Sequence, residues 1–205
     1  MDAVVQEYGQ AAAILGALLS QRPTRQGCIN AARSLCSCDI RTVWPCGDSD
    51  TLDTVEGLLS ECADTPEEQL DRTYHHLFIG PNHLDPAPWG SVFLDAESVV
   101  FGDSCARLSR WMSAAGILAT DIGASREPVD HIGTMLLLLG WLCENRPELV
   151  AEFAEEHLLT WAPEYFGKLK HATDCPLYQA VALLAETLLE ALPRKATANS
   201  AEKQE

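Results

Sequence analysis

The residues best suited to chemistry are the adjacent acid and base Asp130 and His131, in the run Glu127-Pro128-Val129-Asp130-His131-Ile132-Gly133. Pro128 suits the first position of a helix, so the spacing predicts a helix from Pro128 through Cys143. Consecutive helical side chains point about 100° apart, and such a pair cannot hydrogen-bond directly. A first-turn carboxylate is favoured by the helix dipole and matches the fork of a guanidinium. Asp130 therefore reads either as the anchor for an arginine of a ligand or as a local cap, together with Glu127. His75-His76 are adjacent and diverge, and His83, His157 and His171 lack ligand spacing. They read as surface or satisfied core histidines. Cys28, Cys36, Cys38 and Cys46 fall within 19 residues without any CxxC unit. A zinc ribbon needs that tight loop to aim two thiolates at one ion, so no metal is expected. All eight cysteines, Cys62, Cys105, Cys143 and Cys175 included, read as reduced thiols acting mostly as small hydrophobes. GxSxG, P-loop, GxGxxG and HExxH patterns are absent. No enzyme activity and no cofactor are expected.

A second group of residues suits recognition. Tyr74, Leu77 and Phe78 sit at i, i+3 and i+4 on one helical face. Pro81, Pro86, Pro88 and Gly90 follow within ten residues and interrupt regular structure. That same stretch carries Leu84, Trp89, Val92, Phe93 and Leu94. So apolar a loop is either packed on the domain or offered to a partner. Ser91 to Phe101 is the only candidate for extended structure.

These residues need a scaffold, and the patterning predicts an all-helical one. Residues 4–20 carry Tyr8, Ala12, Leu15 and Leu19 on one stripe. A second helix spans 24–36, and 39–50 is irregular around Trp44, a core anchor. Asp50 or Thr51 caps a third helix to Cys62. Thr65-Pro66-Glu67-Glu68 starts a fourth with a cap, a proline at the first position and first-turn acids. A fifth covers 103–115, capped by Asp103 or Ser104. Met135 to Cys143 is apolar on nearly every side and so central. Further helices occupy 147–159, 161–171 and 174–191, the last capped by Asp174. The expected fold is all-α, a single compact domain of about eight or nine helices over residues 1–193. Residues 194–205 form a disordered tail.

With 30 acids against 14 bases, the net charge of −16 argues against nucleic acid and against an anionic membrane surface. It permits a basic peptide partner, whose arrival a negative field accelerates. The run Ala11 to Leu19 has the length of a signal core but no basic residue precedes it. Met135 to Cys143 is about half the ~20 residues of a spanning helix. A soluble, cytoplasmic protein is expected.

The segments YHHLFIGP, PWGSVFLDAESVVFGDS and EPVDHIG together resemble the TorD/DmsD family of redox-enzyme maturation chaperones, its DmsD branch most closely. ILGALL, HLLTWAPEYF and CPLYQAVALLAETL add weaker similarity. The resemblance implies an all-helical Tat proofreading chaperone without turnover. Its partner would be the twin-arginine leader of a molybdenum-cofactor oxidoreductase catalytic subunit of the dimethyl sulfoxide reductase type, with Tat translocase components as further partners. It implies leader contacts at Tyr74, Leu77, Phe78, Pro88, Trp89, Asp130 and His131. Tyr74 stands where the branch usually carries tryptophan, and Ala87 where it carries a second proline. A monomer is expected, with a dimer as the alternative, since the resemblance implies relatives that form swapped dimers. The rival readings are a helical nucleotide- or small-ligand-binding protein, and a chaperone of the mature apoenzyme body.

Overall fold

The computed structural model describes residues 3–80, 84–122 and 127–195. Among them are eleven α-helices and no β-strand, apart from one isolated bridge between Trp89 and His131. The helices are packed around α8 (Ile132–Asn145), of whose fourteen residues ten are buried. A helix apolar on nearly every side has to be covered on nearly every side, and its main cover is α1 (Ala3–Ser20).

The α1–α8 contact is unusually close, and glycine permits it. Gly9 and Gly16 on α1 face Gly133 and Gly140 on α8, each pair seven residues apart. A Cβ placed on Gly16 would lie 2.9 Å from the Gly133 carbonyl oxygen, and one on Gly133 would lie 2.7 Å from the Ser20 nitrogen. One on Gly140 would lie 2.9 Å from the Gly9 oxygen. Backbone meets backbone along this seam, leaving no space for a methyl group.

Around the seam lie α2 (Gln26–Ser37), α4 (Ser49–Cys62) and α11 (Pro176–Ala191). The largest fully buried rings are Tyr165 and Phe166 on α10 (Ala162–Leu169), Tyr178 on α11, and Phe153. Trp44 anchors the 39–50 connection as expected, its indole N–H donating to Thr187 Oγ1 at 3.0 Å. That connection is less irregular than its sequence suggests. A one-turn helix, α3 (Ile40–Val43), forms because Asp39 accepts the Arg41 N–H.

Several helix starts differ from the expectation, each for a local reason. Asp48, rather than Asp50 or Thr51, caps α4 by accepting the Thr51 N–H at 2.9 Å. In α5 (Glu67–Phe78), Pro66 takes the position before the helix and Thr65 makes no cap. Neither Asp103 nor Ser104 caps α7 (Asp103–Ala114). Asp95 does so from outside, accepting the Ser104 N–H and hydroxyl. The 147–159 segment divides into a 3₁₀ turn (Pro147–Leu149), α9 (Val150–Phe153) and a π-helical turn (Ala154–Leu158). At α11 the Cys175 N–H turns to Thr173 Oγ1 and Asp174 makes no cap. Lys195, placed by sequence in the tail, is held to the π turn: its N–H donates to Glu155 and its ammonium to Glu156. Residues 196–205, and with them most of the expected tail, lie outside the described residues, as do His83 and Gly123. No described helix is long and apolar enough to cross a membrane.

Candidate functional site

The two groups singled out by sequence meet where the chain entering α8 runs beside the segment following α5. Gly80, at φ +91°, ends α5 in the left-handed region that favours glycine, with its N–H on the His75 carbonyl at 3.0 Å. The chain then returns to lie against 128–132. The Ile132 N–H donates to the Pro88 carbonyl at 2.8 Å, and the Gly90 N–H to the Asp130 carbonyl at 3.0 Å. These bonds flank the Trp89–His131 bridge.

The segment expected to be extended instead opens as a helix, α6 (Gly90–Leu94). Asp130 starts it. Its carboxylate Oδ2 accepts the Ser91 N–H at 2.8 Å, so the capping acid lies some forty residues away in sequence. Helix α8 itself starts at Ile132, not at Pro128, because His131 caps it by accepting the Gly133 N–H on Nδ1 at 3.1 Å. Asp130 therefore precedes the helix and caps a different one. The expectation that Asp130 and His131 do not pair holds, with each turned to its own helix start.

Tyr74, Leu77, Phe78, Pro88, Asp130 and His131 are all buried, and Trp89 is half-buried. The rings form a chain. Trp89 meets His131 edge-on with centroids 6.0 Å apart, and His131 meets Phe78 at 6.5 Å. Phe78 meets Tyr74 at 4.9 Å and Tyr178 at 5.6 Å. Leu77 shares the helix but enters none of these ring pairs. Tyr178 was missed because the apolar stripe of α11 points to Leu177 and Val181 as its core positions.

Burial sets the electrostatics. Desolvation pushes the His131 imidazole down to about 4, so it is neutral at pH 7, which its acceptor role requires. Burial, and after it the Asp130 carboxylate, pushes the Cys105 thiol up to about 12. Asp130 is 3% exposed and its second oxygen, Oδ1, has no hydrogen-bond partner. The Trp89 indole N–H and Ser91 hydroxyl are buried without partners too. Unpaired buried polar atoms are uncommon in a folded protein. Beside Asp130 is a cavity of about 10 Å³, lined in part by Leu94, Ser104, Arg107, Asp130, His157 and Trp161. It has room for about one water molecule. His157, expected on the surface or satisfied in the core, is buried with Nε2 unpaired, against Trp111 at 5.4 Å.

All eight cysteines are free. Among the described residues no group of three or more His, Cys, Asp or Glu could hold a metal ion. The Cys36 and Cys62 thiols interact, which holds the Cys36 thiol up and the Cys62 thiol down.

From Ala96 to Phe101 the surface changes character. Val99, Val100 and Phe101 are exposed, Phe101 at 70%, and Phe101 holds φ +65°. Sequence reading marked this stretch only as part of the Ser91–Phe101 candidate for extended structure and did not single out the exposure of Phe101.

Comparison with known proteins places the chain among chaperones. Residues 46–167 match the family model described as "Nitrate reductase delta subunit". A Salmonella typhi protein named "Tat proofreading chaperone DmsD" is 35% identical over 184 residues, 89% of this chain and 87% of that one. A Haemophilus influenzae protein named "Probable Tat proofreading chaperone DmsD" is 42% identical over 124 residues, 60% of each chain. A crystal structure from Archaeoglobus fulgidus, described as a candidate redox enzyme maturation protein, superposes with a TM-score of 0.58. It is 20% identical and the match covers 86% of this chain and 91% of that one, a likeness of fold.

Proposed function

The chain belongs to the nitrate reductase delta subunit family, which takes in the TorD/DmsD chaperones, and from that premise we propose a cytoplasmic Tat proofreading chaperone. It binds the twin-arginine leader of a molybdenum-cofactor oxidoreductase of the dimethyl sulfoxide reductase type and delays export until the cofactor is in place. The relatives are chaperones by name, not enzymes. Residues 1–193 constitute the chaperone domain in this reading, with 194–205 as its tail.

The observation that best supports the reading is Asp130 Oδ1, buried without a hydrogen-bond partner of good geometry and with the Cys105 thiol close to its carboxylate. A buried carboxylate oxygen without a partner favours an incoming cationic donor, and a guanidinium supplies parallel N–H groups for it. Trp89, Pro88, Phe78, Leu77, Tyr74 and His131 complete an apolar wall for the segment that follows the arginines. A groove of this kind recognises a peptide through an apolar face and a few charge anchors. The cradle is closed, so the 84–94 segment has to move outward for a side chain to reach Asp130.

Calorimetric titration with a synthetic twin-arginine leader, beside a twin-lysine control, tests this. Binding of the first and loss of at least tenfold with the second is expected. Asp130→Asn keeps an acceptor for Ser91 and removes the charge, so it should weaken the arginine leader and leave the lysine control little changed. Equal affinity for both leaders would sink the reading.

A further inference from the structure

A closed cradle cannot make the first contact with a peptide, and an accessible apolar surface joined to it through α6 is the loop that follows. This loop is held at both ends. The Asp95 N–H donates to the Ser91 carbonyl, the Ser98 N–H donates to the Asp95 carbonyl at 3.0 Å, and the Asp95 carboxylate is fixed on Ser104. Between these ties Val99 and Val100 are exposed (45% and 37%), and Phe101 is 70% exposed. A phenylalanine at φ +65° stands in a region that bulky side chains avoid, and nothing packs over its ring to compensate. Strain that turns an apolar ring into water points to a partner rather than to stability. Exposed Glu97 and Asp103 flank the three apolar residues, and neither enters an ion pair among the described residues. An apolar tip rimmed by unpaired acids complements a peptide in which an apolar run follows basic residues. Helix α6, about 7 Å long, joins this tip to the helix start that Asp130 caps.

We propose that the 96–103 loop is an outer docking surface for the apolar segment of the leader, with Phe101, Val99 and Val100 covering it and Glu97 and Asp103 facing its basic residues. This rests on the reading above that the chain binds such a leader. A peptide seated here pulls on α6, the element whose displacement would open the cradle.

The test is titration of the full chain and of the double variant Val99→Ser, Phe101→Ser with a synthetic twin-arginine leader. A second peptide is truncated after the arginines. The double variant should bind the full leader at least tenfold more weakly at an unchanged melting temperature, while the truncated peptide binds both proteins alike. Glu97→Gln with Asp103→Asn should flatten the dependence of affinity on salt. If the wild type binds the leader and the double variant binds it within twofold as well, the loop is not the docking surface and the chaperone reading stands. If the wild type binds no leader, both fall. Self-association that the double variant abolishes, with leader affinity intact, would assign the loop to a second copy of this chain.

Discussion

The seam between α1 and α8 and the loop from Ala96 to Phe101 are opposite ways of using a backbone. In the seam, four glycines let two helices approach until carbonyls and amides leave no space between them. In the loop, a phenylalanine is held at positive φ with its ring in water. The seam converts the removal of side chains into burial. The loop accepts an unfavourable backbone in order to keep a side chain out. Between them, the turn 128–132 belongs to both, because His131 begins the helix whose Gly133 enters the seam. The seam and the proposed recognition surface thus lie at different ends of one connected structure.

If that division is right, the largest effect lies in the seam. Gly133→Val should destabilise the fold by about 3 kcal/mol, since the new atoms meet the Ser20 backbone and the Gly16 carbonyl, which cannot turn aside. Urea unfolding measures it, and a change under 1 kcal/mol would mean that α1 can shift away. Next comes the acid response of the turn. His131 titrates near 4 folded against an ordinary 6.5, so the unfolded chain binds more protons between those values and stability falls as pH falls through that window. From pH 7.5 to 5 the contribution is about 2 kcal/mol, and His131→Asn, which retains a capping acceptor, should remove that share of the slope. Asp130→Ala strands the buried Ser91 N–H and should cost about 1–2 kcal/mol, whereas Asp130→Asn should cost less. The smallest effect belongs to the loop: Phe101→Ser should move stability by less than about 0.5 kcal/mol. A loss comparable to that of Gly133→Val would erase the distinction between the two regions.

Much of the scaffold was legible in the sequence because it depends on local periodicity. The apolar run of α8 declared a central helix, and Trp44 declared an anchor, since both follow from hydrophobic pattern alone. What escaped was set by distant partners. Asp130 looked like a cap for its own helix because sequence shows only near neighbours, while its partner Ser91 lies across the fold. Asp95 caps α7 from outside for the same reason. The gathering of Tyr74, Phe78, Trp89, Asp130 and His131 around one turn was foreseen through family resemblance. Periodicity had placed only Tyr74 and Phe78 on a common face. The burial of these residues was not foreseen, since an apolar loop reads the same packed or open. The seven-residue spacing of Gly9 with Gly16 and of Gly133 with Gly140 was visible in the sequence. Its meaning lay in the pairing of two segments more than a hundred residues apart.

The seam also constrains how this chain can diverge. A clash between two side chains can be relieved by trimming one of them, so such positions drift in compensating pairs. The neighbours that a Cβ would meet at Gly16 and Gly133 include backbone atoms, which no substitution removes. A mutation there has no partner mutation able to rescue it short of moving a whole helix. These two glycines should therefore stay fixed individually, without covariation, while the exposed tip at Phe101 meets no such backbone limit.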